Sequence, residues 1–348
     1  MIDNRLPAEW EPQHAILLAW PHDNTDWAYM LEQVRDCYCE IIQSLLTNNI
    51  KVILIGPDPQ KIVQELNPNL KKYIDNKSLS IISIETNDTW ARDFGPISVF
   101  GADGKVYIND FKFNGWGLKF ASSYDNLINR QLYTSCLAKY GEYINRLGFV
   151  LEGGSIDSDG HGTILTTSEC LLSPNRNGDL TRDQISDKLN MFFGSKRVLW
   201  LDHGALEGDD TDSHIDTLAR FVDTDTIVYC GAGDIQDAQY AGLKAMAKQL
   251  KEFTTDEGLP YNLVELPLPD PIYDDDGFRL PATYVNFLIT NGIVLLPVYN
   301  QPQKDTLARL QLQSLFTNRR VIPIDCTALI KQHGSLHCIT MQLPSHNM

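Results

Sequence analysis

One strand pattern recurs four times in this 348-residue chain, and it narrows the possible folds more than any other feature. Short β-branched or aromatic runs flank turn residues at 97–100 and 105–108, 154–157 and 163–167, 218–222 and 226–230, and 284–289 and 293–297. Such pairs read as hairpins, because the intervening Ala-Asp-Gly, Asp-Gly-His-Gly, Asp-Thr-Asp and Thr-Asn-Gly stretches supply the backbone reversal two strands need to pair. Helical spacing follows each pair, near 123–140, 181–193, 235–252 and 302–316, and a strand-like run then closes each unit at 147–151, 197–201, 262–266 and 320–324. The order strand, strand, helix, strand returns about every 60 residues, a self-similarity that marks blades or arrays rather than unrelated domains.

A fifth unit can be completed only by joining the ends of the chain. A run at 337–343 would pair with one at 15–20, ahead of a helix at 28–48 and a strand at 51–55. That arrangement closes a ring, removes edge strands and leaves a central axis on which loops from all units converge. The expectation is an α/β fold of one domain spanning 1–348, with function at the axis; an open α/β sheet is the alternative that periodicity leaves standing.

The remaining composition excludes several classes. Apolar residues make up 43% and charged residues 21%, with no Pro, Ser or Gln tract, as in an ordinary globular protein. The first thirteen residues have neither a basic start nor an apolar stretch, and no run approaches the ~18 apolar residues of a membrane span, so a cytoplasmic protein without a membrane partner is expected. Seven scattered cysteines, an odd number, argue against a disulfide framework. A net charge of −16 repels nucleic acid and anionic lipid and favours cationic ligands, although acidic surfaces also serve solubility alone.

Chemistry-bearing residues concentrate in five loop segments: Thr89–Pro96, 113–117, 151–154, 208–216 and 334–340. Asp93, Glu152 and Asp216 put carboxylates on three of them, His214 lies two residues before Asp216, and Cys338 sits in the last. This set suits a guanidinium. The cation is planar and presents N–H donors in a fixed fork, so carboxylates can both hold it and keep it charged. A thiolate can then attack its carbon from the open face, aided by the cation's effect on thiol acidity. His214 would protonate departing ammonia and deprotonate the attacking water. Taken singly, each residue has a plainer reading: a core cysteine, a turn-forming aspartate, a solvated glutamate, a structural histidine.

Competing motifs fail on physical grounds. The segment 231–234 lacks the third glycine of a dinucleotide loop, and no Gly-Lys-Ser/Thr phosphate loop occurs. Cys37 and Cys39 would diverge on a helix, while the acidic stretches 157–160 and 274–277 lack a full calcium ligand set. No metal and no cofactor are expected.

Together these segments resemble the agmatine deiminases and bacterial peptidylarginine deiminases of the guanidine-modifying superfamily. The resemblance runs from Pro7–Pro12 and 19–21 through Trp90-Ala91-Arg92-Asp93, 113–117, 151–154 and 211–216 to His337-Cys338-Ile339-Thr340. It implies a five-bladed α/β-propeller (pentein) of ββαβ units around a central active site. It also implies that Asp93, Glu152 and Asp216 grip the guanidinium, that His214 is general acid and base, and that Cys338 forms a covalent intermediate. Trp90 and Trp116 would wall the site. For agmatine the products would be N-carbamoylputrescine and ammonia, on a route to polyamines. Peptidylarginine and free arginine are the alternative substrates, and a non-catalytic cation-binding protein is the alternative from another class. The far end of the substrate discriminates: an amine wants carboxylates such as Asp210 or Asp212, an α-carboxylate wants an arginine such as Arg92 or Arg176. Homo-oligomerisation is left open. Two departures, the short 333–336 run before His337 and Thr217 in place of a common asparagine, concern loop shape.

Overall fold

The computed structural model describes residues 4–345. Its strands form five separate sheets, and every sheet is built on the same three-strand plan. In the first, Ile97–Gly101 pairs antiparallel with Val106–Lys112, which pairs parallel with Glu142–Val150 after a helix at Ile128–Ser135. Ile156–Ser158, Thr163–Thr167 and Arg197–Leu201 repeat the plan around helix Arg182–Phe193. So do Ala219–Phe221, Thr226–Cys230 and Asn262–Leu266 around helix Tyr240–Leu250. Leu288–Ile289, Ile293–Val298 and Arg320–Asp325 do likewise around helix Pro302–Leu315.

The two ends of the chain complete the fifth. Met341–Pro344 pairs antiparallel with Gln13–Ala19, which pairs parallel with Val52–Gly56 after helix Leu31–Thr47. A further parallel strand at Leu79–Ser83 extends this sheet, and a short strand at Asn4–Arg5 borders the first one. The plan repeats for a physical reason. A tight turn can join only antiparallel strands, whereas the parallel neighbour requires a crossover long enough for a helix. The inner strands are largely buried, Val52–Gly56 at every position, and the helices cover them with one face, as Val34, Tyr38, Ile41, Ile42 and Leu45 do on Leu31–Thr47.

The expected elements differ from the observed ones chiefly at the entry to each unit. The run expected as a strand at 337–343 forms one only from Met341, and Leu336–Ile339 are a turn, so Cys338 is not a strand residue. Likewise 284–289 is strand only at Leu288–Ile289, and Gly154 and Ser155 belong to a 3₁₀ turn. At Asn286 and His337 the side chains, and at Gly154 the backbone N–H, bond into the interior cluster described below rather than to a neighbouring strand. The closing strand of the first unit is longer than expected, beginning at Glu142: its partly exposed first half, with Glu142, Asn145 and Arg146, lacks an apolar run but pairs with Tyr107–Phe111. Among the described residues no helix is long and apolar enough to cross a membrane.

Candidate active site

Each of the five units enters its first strand through a short turn, and each turn delivers a polar group to the same region. Asp93 lies on the helical turn Ala91–Phe94, Glu152 precedes the turn Gly153–Ser155, and His214 and Asp216 flank the start of Ile215–Thr217. Asn286 lies just before Leu288–Ile289 and Cys338 just before Met341–Pro344. A cavity with about 470 Å³ of empty space opens there, and its walls include Asp93, His214, Asp216 and Cys338. Segments far apart in sequence therefore converge on one thiol.

At the bottom, Cys338 Sγ lies 3.8 Å from Asp216 Oδ2 and 3.3 Å from Asn286 Nδ2. Burial, reinforced by Asp216 and Asp93, pushes the thiol well above its ordinary range, so the resting sulfur is protonated. His214 is also driven to its neutral form: burial lowers it to about 3 although Asp216 pulls the other way. Its Nδ1 lies 3.5 Å from Asp93 Oδ1, while its Nε2 is buried without a hydrogen-bond partner. The backbone at Gly154 makes this crowding feasible. A Cβ there would stand 2.7 Å from both Asp93 Oδ1 and His214 Nδ1 and 3.1 Å from Asp216 Oδ2.

Asp93 and Asp216 are held differently. Asp93 accepts from Trp116 Nε1 at 2.9 Å and from Gly154 N at 3.0 Å, but burial and the neighbouring Asp216 raise it well above the usual carboxylate range. Asp216 accepts from His337 Nδ1 at 2.7 Å. Burial opposes ionisation, but that contact together with His214 and Arg220 leaves Asp216 below its ordinary value. Its other oxygen, Oδ1, is buried and unpartnered.

Two expected contact residues are engaged elsewhere. Glu152 receives Arg176 Nε at 2.9 and 3.0 Å on its two oxygens, and the cavity wall as it stands is formed by other residues. Asp212, expected at the far end of a substrate, is taken up by Lys119 Nζ and Arg176 Nη1, both at 2.5 Å, and is likewise absent from the wall. Glu152, Cys170 and His214 nevertheless bring three metal-ligand atoms within 4.8 Å of one another. Arg176 already neutralises the glutamate of that group, which makes it a poor cradle for a cation.

Toward the mouth the wall is again acidic, formed by Asp26, Asp88, Asp209 and Asp210, with Trp90, Trp116 and Phe120 supplying flat surfaces. Burial, then Asp26, pushes Asp88 up to about 7; burial raises Asp210 to about 6 against the pull of His333. Trp90 donates its Nε1 hydrogen to Asp88 Oδ2 at 3.1 Å, and Gly334 makes room for its ring: a Cβ at that glycine would fall 2.1 Å from Trp90 Cζ3. Asp88 and Asp209 at this rim were not anticipated, since aspartates before turns look like turn formers. Asn286 was hidden inside an apparent strand. The repeat itself points to it, as the fourth unit's counterpart of the other entry turns.

Fold and site together define a deep, acid-lined receptor for a small cation ending on a buried thiol. The family model for Porphyromonas-type peptidyl-arginine deiminase matches residues 5–344, and the chain belongs to that family. It is 31% identical to a Shewanella protein (strain MR-7) named "Putative agmatine deiminase", over 98% of this chain and 94% of that one. A Porphyromonas gingivalis structure described as a "Putative Arginine Deiminase" is similar at TM-score 0.90 and 50% identity, covering 98% of each chain. A structure of C. jejuni agmatine deiminase with substrate bound is similar at TM-score 0.88 and 36% identity, over 98% of this chain and 96% of that one.

Proposed function

We propose that this protein is a hydrolase of guanidino C–N bonds that converts agmatine to N-carbamoylputrescine and ammonia through a covalent adduct on Cys338. The observation that carries the substrate is the fate of the arginines. Neither Arg92 nor Arg176 lines the cavity: Arg176 is bound to Glu152 and Asp212, and Arg92 lies 3.6 Å from Glu9. The outer wall instead offers Asp26, Asp88 and Asp210, which suit a terminal amine and repel the carboxylate of free arginine. The names of the relatives above support guanidine deimination in general. The five sheets and the pairing of the last strand with Gln13–Ala19 support a single domain closed as a five-bladed α/β-propeller.

The chemistry follows from the resting charges. Docking of the cation between Asp93 and Asp216 favours the thiolate, whose proton passes to the neutral His214 ring. Sulfur attacks the guanidinium carbon, forming the C–S bond. The departing nitrogen takes the proton from His214 as its C–N bond breaks, and ammonia leaves. Water then attacks the S-amidino carbon, giving a proton to His214, and cleavage of the C–S bond with return of a proton restores the thiol. Glu152 lies outside the fork and acts here as a brace behind His214. An ammonia-release assay with agmatine, arginine and an arginyl peptide tests the reading. Turnover of agmatine well above the others is expected; preference for the peptide would transfer the assignment to peptidylarginine.

A further inference from the structure

Behind the cavity lies a linkage that the chemistry above leaves unused. His337 stands between two carboxylates, with Nδ1 2.7 Å from Asp216 Oδ2 and Nε2 2.7 Å from Glu9 Oε2. All three side chains are nine-tenths or more buried, at 2%, 1% and 5% exposure for His337, Asp216 and Glu9. Glu9 reaches the interior because the chain enters along the edge of the first sheet at Asn4–Arg5 and turns inward before the strand at Gln13. Arg220 Nη2 is 2.9 Å and Arg92 Nη2 3.6 Å from the same Glu9 oxygen. Burial alone would favour neutral Glu9, but Arg220 and His337 outweigh it and hold it well below the usual carboxylate range. Each ring nitrogen of His337 thus has a buried carboxylate oxygen as its partner.

We propose that Glu9 and His337 are positioning residues for guanidinium capture, with Glu9 holding the His337 ring and the ring fixing Asp216 Oδ2 so that Oδ1 is left for the substrate. The inference rests on the functional reading above. Asp216 Oδ1 is buried with no partner, a costly state for a carboxylate oxygen unless a ligand hydrogen arrives there. The linkage also accounts for the contrast in the site, since Asp93, which has no such partner behind it, is shifted upward while Asp216 is shifted downward. The charged and titratable groups facing His337 are Glu9, Asp157, Asp216, Arg92 and Arg220, and those facing Asp216 are His337, His214, Asp93, Asp209, Arg92, Arg220 and Cys338.

The experiment compares wild type with His337→Ala, His337→Asn and Glu9→Gln in agmatine turnover across pH, with thermal melts on each. Loss of a charge-assisted hydrogen bond of this kind predicts a fall in kcat/KM of about 10- to 100-fold for His337→Ala, carried mostly by KM. Because a weaker hold on ionised Asp216 raises its pKa, the acid limb of kcat/KM for an alkylguanidine lacking the amine, a substrate that the acids at the mouth do not select, moves to higher pH. His337→Asn restores a neutral N–H at the Nδ1 position, so it recovers part of the KM loss while the acid limb stays displaced. Glu9→Gln displaces the limb in the same direction. Should Glu9→Gln fail to fold, with Arg92 and Arg220 left unpaired, the two His337 variants decide the matter. Wild-type kcat/KM and an unmoved acid limb in a folded His337→Ala protein would overturn the proposal and leave the functional reading intact. A wild-type protein inert toward agmatine, arginine and arginyl peptide would overturn both.

Discussion

Asp93 and Asp216 approach the same small space beside Gly154, yet their surroundings drive their proton affinities apart. One is held by neutral donors, Trp116 and Gly154 N, and is raised by burial and by its neighbour; the other is held by the imidazole of His337 and is lowered. Two like acids at one site separate in this way whenever a cation backs only one of them. On the proposed reading the consequence is a division of labour: Asp216 supplies standing negative charge, whereas Asp93 ionises as a guanidinium docks. The cation that docks is thus also the agent that prepares the second acid and the thiol.

The largest expected effect isolates this comparison from the chemistry. Cys338→Ser should bring ammonia release from agmatine below detection while preserving the melt and the binding of agmatine, since hydroxyl oxygen is a far weaker nucleophile than thiolate. Residual turnover within tenfold of wild type would remove the covalent route. In that background the two acids can be weighed by calorimetry. Asp216→Asn should weaken agmatine about 10- to 100-fold at neutral pH. Asp93→Asn should weaken it less, and should abolish the release of about one proton on binding that Asp93 contributes. Equal losses, with proton release unchanged by Asp93→Asn, would erase the distinction.

A second comparison sets the bottom of the cavity against its rim. His214, lowered to about 3, contributes no ionisation near neutrality, whereas Asp210 near 6 and Asp88 near 7 do. Both rim acids are raised, so they carry charge only above those values, and capture of a terminal amine should strengthen as pH climbs through that range. The rise in kcat/KM between pH 5.5 and 7.5 should be about tenfold larger for agmatine than for an alkylguanidine lacking the amine, whose own rise reports Asp93 at the bottom. Equal rises for the two substrates would locate the whole ionisation at the bottom instead.

The repeat was legible because hairpin and helix periods are local, and the strands at 197–201 and 262–266 fall where their alternation puts them. Membership of the acid and thiol cluster was legible as well, since Asp93, His214, Asp216 and Cys338 sit beside glycines and turn residues rather than in amphipathic faces. Pairing was not. Nothing local to Glu152 says that Arg176 occupies it, nor that Lys119 and Arg176 claim Asp212, because those partners come from other loops. Asn286 escaped for the opposite reason. It lies in an apolar run whose local pattern favours strand, and only its contacts to His337 N at 2.9 Å and Cys338 Sγ reveal that tertiary structure overrides that preference.

The smallest expected effect tests the neutral side of the first comparison. Trp116 adopts a positive φ of 53°, a conformation unfavourable for a bulky side chain, and its indole N–H reaches Asp93 Oδ2 at 2.9 Å. Trp116→Phe keeps a flat wall and removes one neutral hydrogen bond, worth about 1 kcal/mol or a fivefold change. Loss of that donor makes ionised Asp93 harder to form. Agmatine binding to the Cys338→Ser background should therefore weaken by about this factor, and the fold loss should shrink as pH is raised and the acid ionises without help. A loss that is constant with pH would mean that the indole acts only by packing on the substrate, and that Asp93 is already charged when the cation enters.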